Sequence, residues 1–450
     1  MRNPKKVDRD ISKADNNSGC VSWTRRRAVQ AIGVSALSSA FLARSVHAAE
    51  PAERKVRIGI VGGRFGASFQ WHEHPQCIVA GVSDLRPERR ENLQKVYGCE
   101  RAYESLEVML REGKDIEAVG IFTEAPNHVP HAVAAVRAGK HVLSAVPAAM
   151  TLEECALLVD TVRRTGLTYM MAETGYWQQH TISARQFFQE GRFGKLYAAV
   201  SMYRHAGLED LFFENGKRTW RYGFPPMHYP THCTVHMVGV TGERLKAVSC
   251  IGWGDDSPVL KDNAYANPFW NETAEFLTEK DHSFRVEVWW AGSHVGGERA
   301  EWYGDRMSFL CANGYGQPAT IVHSSELKEL DTGGFQRAAA KVEKYDIPQW
   351  WKTDMLPEPL RHDSGHEGSH TFITHEFIDA LVHERRPAVD VYEAVAYTAP
   401  GIVAHQSALR GGERLWIPDF GRPGDAACAS GSAAVRHAPT VPRRRLFGRR

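Results

Sequence analysis

The chain has no hydrophobic run long enough to fix it in a membrane. Its most apolar N-terminal stretch, Ala28 to Ala43, falls short of the about 20 residues that a spanning helix needs. Paired cysteine spacing is also missing. Of eight cysteines, Cys20 and Cys428 lie in the terminal segments, and Cys77, Cys99, Cys155, Cys233, Cys250 and Cys311 are scattered. That pattern argues against a zinc ribbon or a CxxC redox pair and leaves free buried thiols as the expectation. There is no internal repeat, so a solenoid is not expected. Net charge is nearly absent at +2, but only by balance. Residues 1–48 carry nine Lys or Arg against three Asp or Glu, residues 422–450 carry seven Arg against one Asp, and the body between holds −10. An acidic body argues against nucleic acid as the main partner.

What is present at the N-terminus explains the first basic block. Thr24-Arg25-Arg26-Arg27 precedes the Ser- and Ala-rich run, and Val46-His47-Ala48 follows as a small-residue cleavage pattern. This resembles a twin-arginine export signal, which implies a periplasmic or cell-envelope location and no anchor after removal of residues 1–48. With 450 residues the chain is too long for one ordinary core. The expected organisation is an export signal (1–48), a Rossmann dinucleotide-binding domain (49–175), a substrate and oligomerisation sheet domain (176–421) and a disordered basic tail (422–450).

The pattern from Lys55 is VRIGIV, the glycine turn GGRFG, a helix, then CIVAGVSD. Helices at 86–97, 106–111, 128–138 and 151–164 then alternate with the strands AVGIFT, HVLSAV and TYMMAE. Such alternation specifies an α/β doubly wound parallel sheet. Beyond a helix at 181–189 come KLYAAVSMY, RLKAVSCIGWG, ETAEFLTEK, FRVEVWWAG and RMSFLCANG, separated by Gly, Asp and Asn turns. They predict an α+β domain with a large, mainly antiparallel open sheet. Residues 327–365 lack periodicity and read as a loop or lid. Helices at 370–383 and 391–410 close the domain.

Gly59, Gly62, Gly63 and Gly66, with Arg64 and Phe65 between them, sit where a strand turns into the next element. A glycine turn of this kind lets backbone approach a pyrophosphate over a helix N-terminus. Asp84 closes the second strand about 20 residues on, where an acid bonds a ribose hydroxyl. The pair predicts a dinucleotide site; Asp84 favours NAD, and Arg86 keeps NADP open. By contrast, Ser144-Ala145-Val146-Pro147, on the turn after a buried strand, offers no side chain that titrates near neutral pH. A base must come from elsewhere, and Tyr229 and His232 are the candidates. The alternative is a core Tyr and a buried neutral His at a helix start. His228, His232 and His236 share helical spacing, but Pro230 opposes a helix beginning at 228, so no metal site is expected. Trp350 and Trp351 either stack on a sugar or anchor their loop.

Together GIVGGRFG, Asp84, PNHVPHAVAAVRAGKHV, SAVPAAMT, AETGYW and HYPTH resemble the Gfo/Idh/MocA family of NAD(P)-dependent oxidoreductases over about residues 55–420. The family's signature Glu-Lys-Pro, whose lysine assists proton transfer, stands here as Ala145-Val146-Pro147. The NAD-dependent α-N-acetylgalactosaminidase branch also lacks that lysine and is similar at Glu173 with Tyr176, Trp220-Arg221, Tyr229-Pro230-Thr231-His232 and SGHEG around His366. The resemblance implies Asn127, His128, Val146, Pro147, Glu173 and Tyr176 on the cofactor side, Trp220, Arg221 and His366 on the substrate side, and a homo-oligomer. It implies transient oxidation of a sugar hydroxyl, elimination, hydration and re-reduction on a carbohydrate or glycoside, and export implies that the NAD stays tightly bound. Two rival readings remain: an ordinary sugar or polyol dehydrogenase with His232 as base, and a nucleotide-binding protein without turnover.

Overall fold

A computed structural model describes residues 54–205, 207–324, 327–329, 336–338 and 341–425. The export-signal and basic-tail expectations therefore fall outside the described residues, apart from the first few positions of the tail.

The first layer is a parallel sheet of β1 (Val56–Val61), β2 (Cys77–Ser83), β3 (Ala102–Tyr103), β4 (Ala118–Ile121), β5 (His141–Ser144) and β6 (Tyr169–Met171), in the order β3-β2-β1-β4-β5-β6. Its strands are near-continuous apolar runs because helices cover both faces. Those helices are α1 (Pro87–Tyr97), α2 (Leu106–Glu112), α3 (His128–Arg137) and α4 (Leu152–Thr165). Local chemistry sets their ends: the Thr151 side chain accepts from Glu154 N at the start of α4, and Gly166 closes it at φ 68°.

No helix follows β1, contrary to the expectation from the glycine turn. The chain makes a single 3₁₀ turn, Phe65–Ser68, and then runs irregularly to β2. Phe65 and Phe69 are four apart, as on a helix, but Trp71 breaks that spacing, and packing decides the path. Phe69 stacks on His370 at 4.5 Å, and Trp71 lies edge-on to Phe377 at 6.3 Å. A pyrophosphate bound here would meet backbone of the turn rather than an α-helix terminus.

The second layer begins with α5 (Gln179–Gln189) and β7 (Leu196–Arg204), then a hairpin of β8 (Phe213–Glu214) and β9 (Lys217–Arg218). It continues through α6 (Thr231–Thr241), β10 (Leu245–Trp253), α7 (Pro258–Lys261), β11 (Asn271–Thr278), β12 (Ser283–Trp289), β13 (Gly297–Gly304), β14 (Met307–Leu310) and β15 (Thr320–His323). After these come β16 (Leu327–Glu329), β17 (Gln336–Ala338), β18 (Lys341–Lys344), α8 (Gly365–Val382), α9 (Val391–Leu409) and β19 (Leu415–Trp416). Nine strands form one mixed sheet, β18-β15-β14-β13-β7-β12-β11-β10-β19, in which β12 and β7 pair in parallel and the rest are antiparallel. In β12, Phe284, Val286 and Val288 face the core and Arg285 is exposed, as alternation requires. Glu287 is largely buried against Arg204 at 2.5 Å.

Within the segment expected to be a loop or lid, Lys341–Lys344 forms β18 and joins the large sheet beside β15. Trp350 and Trp351 are anchors and not a sugar platform. Trp350 Nε1 donates to Ser183 Oγ at 3.0 Å, its backbone N–H donates to Gln179 Oε1 at 2.6 Å, and Trp351 fills the space beside Gly368.

Candidate functional site

A cleft of about 670 Å³ opens at the carboxyl ends of β1, β4 and β5, where the strand order reverses. That is the position at which open α/β sheets bind ligands. Its floor is Gly62 to Phe65, Asp84, Thr123, Asn127, His128, Ala145 and Val146; its roof is Tyr203, Trp220, Arg221, Tyr229, His232 and His366.

The floor fits a dinucleotide. Gly62 has φ 100°, and a Cβ there would lie 2.3 Å from Phe122 O; at Gly63 it would lie 2.6 Å from Arg89 O. Both positions need glycine because the turn is wedged between β4 and α1, which leaves bare backbone facing the cleft. Asp84 Oδ2 accepts from Gly63 N at 2.6 Å and Oδ1 from Arg86 N at 2.8 Å. Each oxygen keeps a lone pair toward the cleft for a ribose hydroxyl.

The Ala145–Pro147 turn is a wall. Its side chains are apolar, and the Pro147 carbonyl lies 2.8 Å from His128 Nδ1, while His128 Nε2 is 3.1 Å from Thr123 O. Burial lowers the His128 pKa. In the neutral form that burial favours, one ring nitrogen donates to a carbonyl and ties the turn to α3, a positioning role.

The roof holds the titrating groups. His232, on the first turn of α6, places Nδ1 3.0 Å from Glu173 Oε1 and 3.5 Å from Glu298 Oε1. Burial by itself would lower the His232 pKa, but the two carboxylates override it and raise it to about 9. Glu173 is fully buried and pushed upward by burial, yet the His232 charge and the Gly175 N–H, which donates at 2.8 Å, hold it below its ordinary value. Glu298, bonded to Gln178 Nε2 at 2.8 Å, is raised to about 7, chiefly by burial. The two carboxylates favour the charged form of the imidazole between them, while burial favours the neutral form of Glu298. The same three ligand atoms lie within 4.8 Å of one another and are, among the described residues, the group with metal-like spacing. His228 and His236, at helical spacing from His232, are held elsewhere: His228 packs against His405, and His236 Nδ1 is 2.7 Å from Ser201 Oγ.

Tyr229 stands beside His232, ring centres 5.1 Å apart, just before α6. Burial raises its pKa and the Arg221 guanidinium opposes that rise. Arg221 itself stacks over Trp220 at 4.1 Å. His366 sits at φ 51° on the opposite rim, its Nδ1 2.9 Å from His370 Nε2, and burial lowers its pKa to about 4.

Five expected cofactor residues do not line the cleft. Gly59 is inside β1, where a Cβ would strike Met109 Sδ at 2.5 Å, and Gly66 is closed off by the Phe122 ring. Pro147 contributes only its carbonyl to His128. Glu173 stands behind His232, and Tyr176 lies beneath the Arg185 guanidinium at 3.8 Å. Conversely, sequence reasoning missed Tyr203, Glu298, Arg89 and Glu214. Tyr203 and Glu298 face each other across the β7–β13 pairing, and the Tyr203 ring is 4.8 Å from His232. The available signal for Tyr203 was a polar tip at an inward position of an otherwise small-residue strand, Ala199, Ser201, Tyr203.

Residues 56–173 match the oxidoreductase family, NAD-binding Rossmann fold of the Gfo/Idh/MocA type, and residues 321–425 match the glycosyl hydrolase 109 C-terminal domain. A glycosyl hydrolase family 109 protein of Bacteroides thetaiotaomicron is 31% identical over 421 residues, covering 83% of this chain and 86% of the relative. An alpha-N-acetylgalactosaminidase of Tannerella forsythia is 27% identical over 363 residues, covering 73% and 75%. Among solved structures, a levoglucosan dehydrogenase complexed with NADH and L-sorbose has a TM-score of 0.63 at 17% identity, covering 81% of this chain and all of that one, and so shares the fold.

Proposed function

The chain belongs to glycosyl hydrolase family 109, and from that premise we propose that this enzyme cleaves a glycoside by a redox-neutral route on a tightly held NAD. The reading rests on one observation: a single cleft joins the Gly62–Gly63 turn and Asp84 to Tyr229 and to His232, which Glu173 holds from behind. The substrate class is an α-linked N-acetylhexosaminide, by analogy with the Tannerella relative's name.

When bound, NAD supplies the acceptor for the hydrogen leaving a sugar carbinol. The chain's own residues manage the protons. Glu173 fixes the His232 Nδ1–H, which leaves Nε2 to take the carbinol proton once His232 is neutral. Glu298, 3.5 Å from the same Nδ1, adds a second carboxylate that favours the charged imidazole. A transient ketone acidifies the neighbouring C–H, and Tyr229, its phenol steadied by Arg221, serves the elimination and the addition of water. The Ala145–Val146 wall excludes water and contributes no proton acceptor. Retention of NAD follows from the proposed export through the twin-arginine route, since a cofactor bound outside the cytoplasm has no pool to exchange with. We further assign the outer face of the nine-stranded sheet to contact between copies of the chain.

The test is to supply an α-linked N-acetylhexosaminide and follow both aglycone release and free reduced nicotinamide. Aglycone release without nicotinamide accumulation supports the reading; stoichiometric free NADH supports the plain dehydrogenase instead.

A further inference from the structure

The adenosine end of the cleft carries a feature that the reaction does not use. Arg86 and Arg89, on the turn after β2 and the first turns of α1, line the cleft beside Asp84. Two arginines at this place form a 2′-phosphate clamp of the kind an NADP enzyme needs. Here the fork is already taken. Glu214 reaches in from the second layer, with Oε2 2.6 Å from Arg86 Nη2 and Oε1 bonded to Arg89 Nη2.

The reach is built into the fold. Glu214 ends β8, and Asn215 and Gly216 follow at φ 51° and 73°, the left-handed pair that makes a tight two-residue hairpin. Thr219 ties the base of the hairpin down, its N–H donating to Phe212 O at 2.8 Å and its hydroxyl to Leu211 O. The far strand is held by Arg218 on Asp262 at 2.9 Å. Both arginines hold Glu214 in its ionised form, Arg86 most strongly, so the block persists across the neutral range.

We propose that Glu214 is the residue that makes this enzyme select NAD over NADP, by occupying the Arg86–Arg89 fork and placing a carboxylate where a 2′-phosphate would have to bind. Asp84 adds a second negative charge at the same end. The inference rests on the dinucleotide reading of the cleft and specifies which dinucleotide it takes.

The measurement is the composition of bound nucleotide, not activity. Wild type, Glu214→Gln and Glu214→Asp are purified, and the nucleotide released on denaturation is quantified; a second portion is first equilibrated with equal NAD⁺ and NADP⁺. Wild type and Glu214→Asp should hold NAD almost exclusively. Glu214→Gln frees both guanidinium groups for charge-assisted bonds to phosphate, so its NADP-to-NAD ratio should rise by about 10- to 100-fold. Adding Arg86→Ala to Glu214→Gln should bring the ratio back down. Glu214 is partly exposed, and an unchanged melting temperature serves as the control for folding. An unchanged ratio in Glu214→Gln, or NADP held as well as NAD by wild type, overturns the assignment while leaving the dinucleotide site standing. Retention of neither nucleotide by any variant overturns both.

Discussion

His232 Nδ1 lies 3.0 Å from Glu173 Oε1 in a site where Glu173 has no solvent exposure. This contact, together with Glu298 at 3.5 Å from the same nitrogen, favours the charged form of the imidazole. The carboxylate that orients the imidazole also makes it hold its proton, so the base required by the chemistry is loaded at rest.

The first consequence is a pH profile with a displaced limb. Only neutral His232 accepts a proton, and its pKa is raised to about 9, so kcat/KM should climb with pH above neutrality. Glu298→Gln removes one of the two carboxylates that raise it. The limb should then move to lower pH, and a limb that stays or moves upward would contradict the assignment of Glu298.

Stability should follow the same proton with the opposite trend. A histidine whose folded pKa lies above its unfolded value of 6.5 contributes stability fully below that pH and loses it as pH rises through about 9. The melting-temperature advantage of wild type over His232→Gln should therefore shrink between neutral pH and about pH 9.5. An advantage that grows over that window would mean His232 is neutral at rest.

Val146 and His232 should separate cleanly in activity. Val146→Ala trims a wall and should leave most turnover, whereas His232→Ala should lower kcat by about 10²-fold or more, as loss of a general acid or base does. Equal and mild losses at the two positions would return the search for the base to its starting point.

Gly62 carries a structural prediction independent of chemistry. At φ 100°, with Phe122 O 2.3 Å from the new Cβ, Gly62→Ala should cost about 3 kcal/mol or more in urea unfolding, from strain plus overpacking. Gly98→Ala, at φ 58° with open space around it, should cost about 1 kcal/mol. Comparable losses would place the requirement for glycine elsewhere than in the wedge between β4 and α1.

The parallel sheet was legible because buried runs such as VRIGIV and HVLSAV alternate with helical segments. The 3₁₀ turn after β1 was not, since Phe69 and Trp71 are drawn away by His370 and Phe377, some 300 positions on. The same holds at the site. The Gly62–Gly63 turn with Asp84, and Tyr229 with His232, are local motifs. Glu298 gains meaning only when β13 pairs with β7, and Glu214 only when its hairpin folds over Arg86. Trp350 and Trp351 show the converse: two conspicuous aromatics are used up by packing on α5 and α8.

The central claim, a redox-neutral cycle through a transient ketone, is tested most directly by turnover in heavy water. Recovered sugar should carry solvent deuterium at the carbon beside the oxidised one, while the hydride removed from the carbinol carbon returns to that carbon and no free NADH accumulates. Sugar recovered without solvent label, accompanied by stoichiometric free NADH, would contradict it.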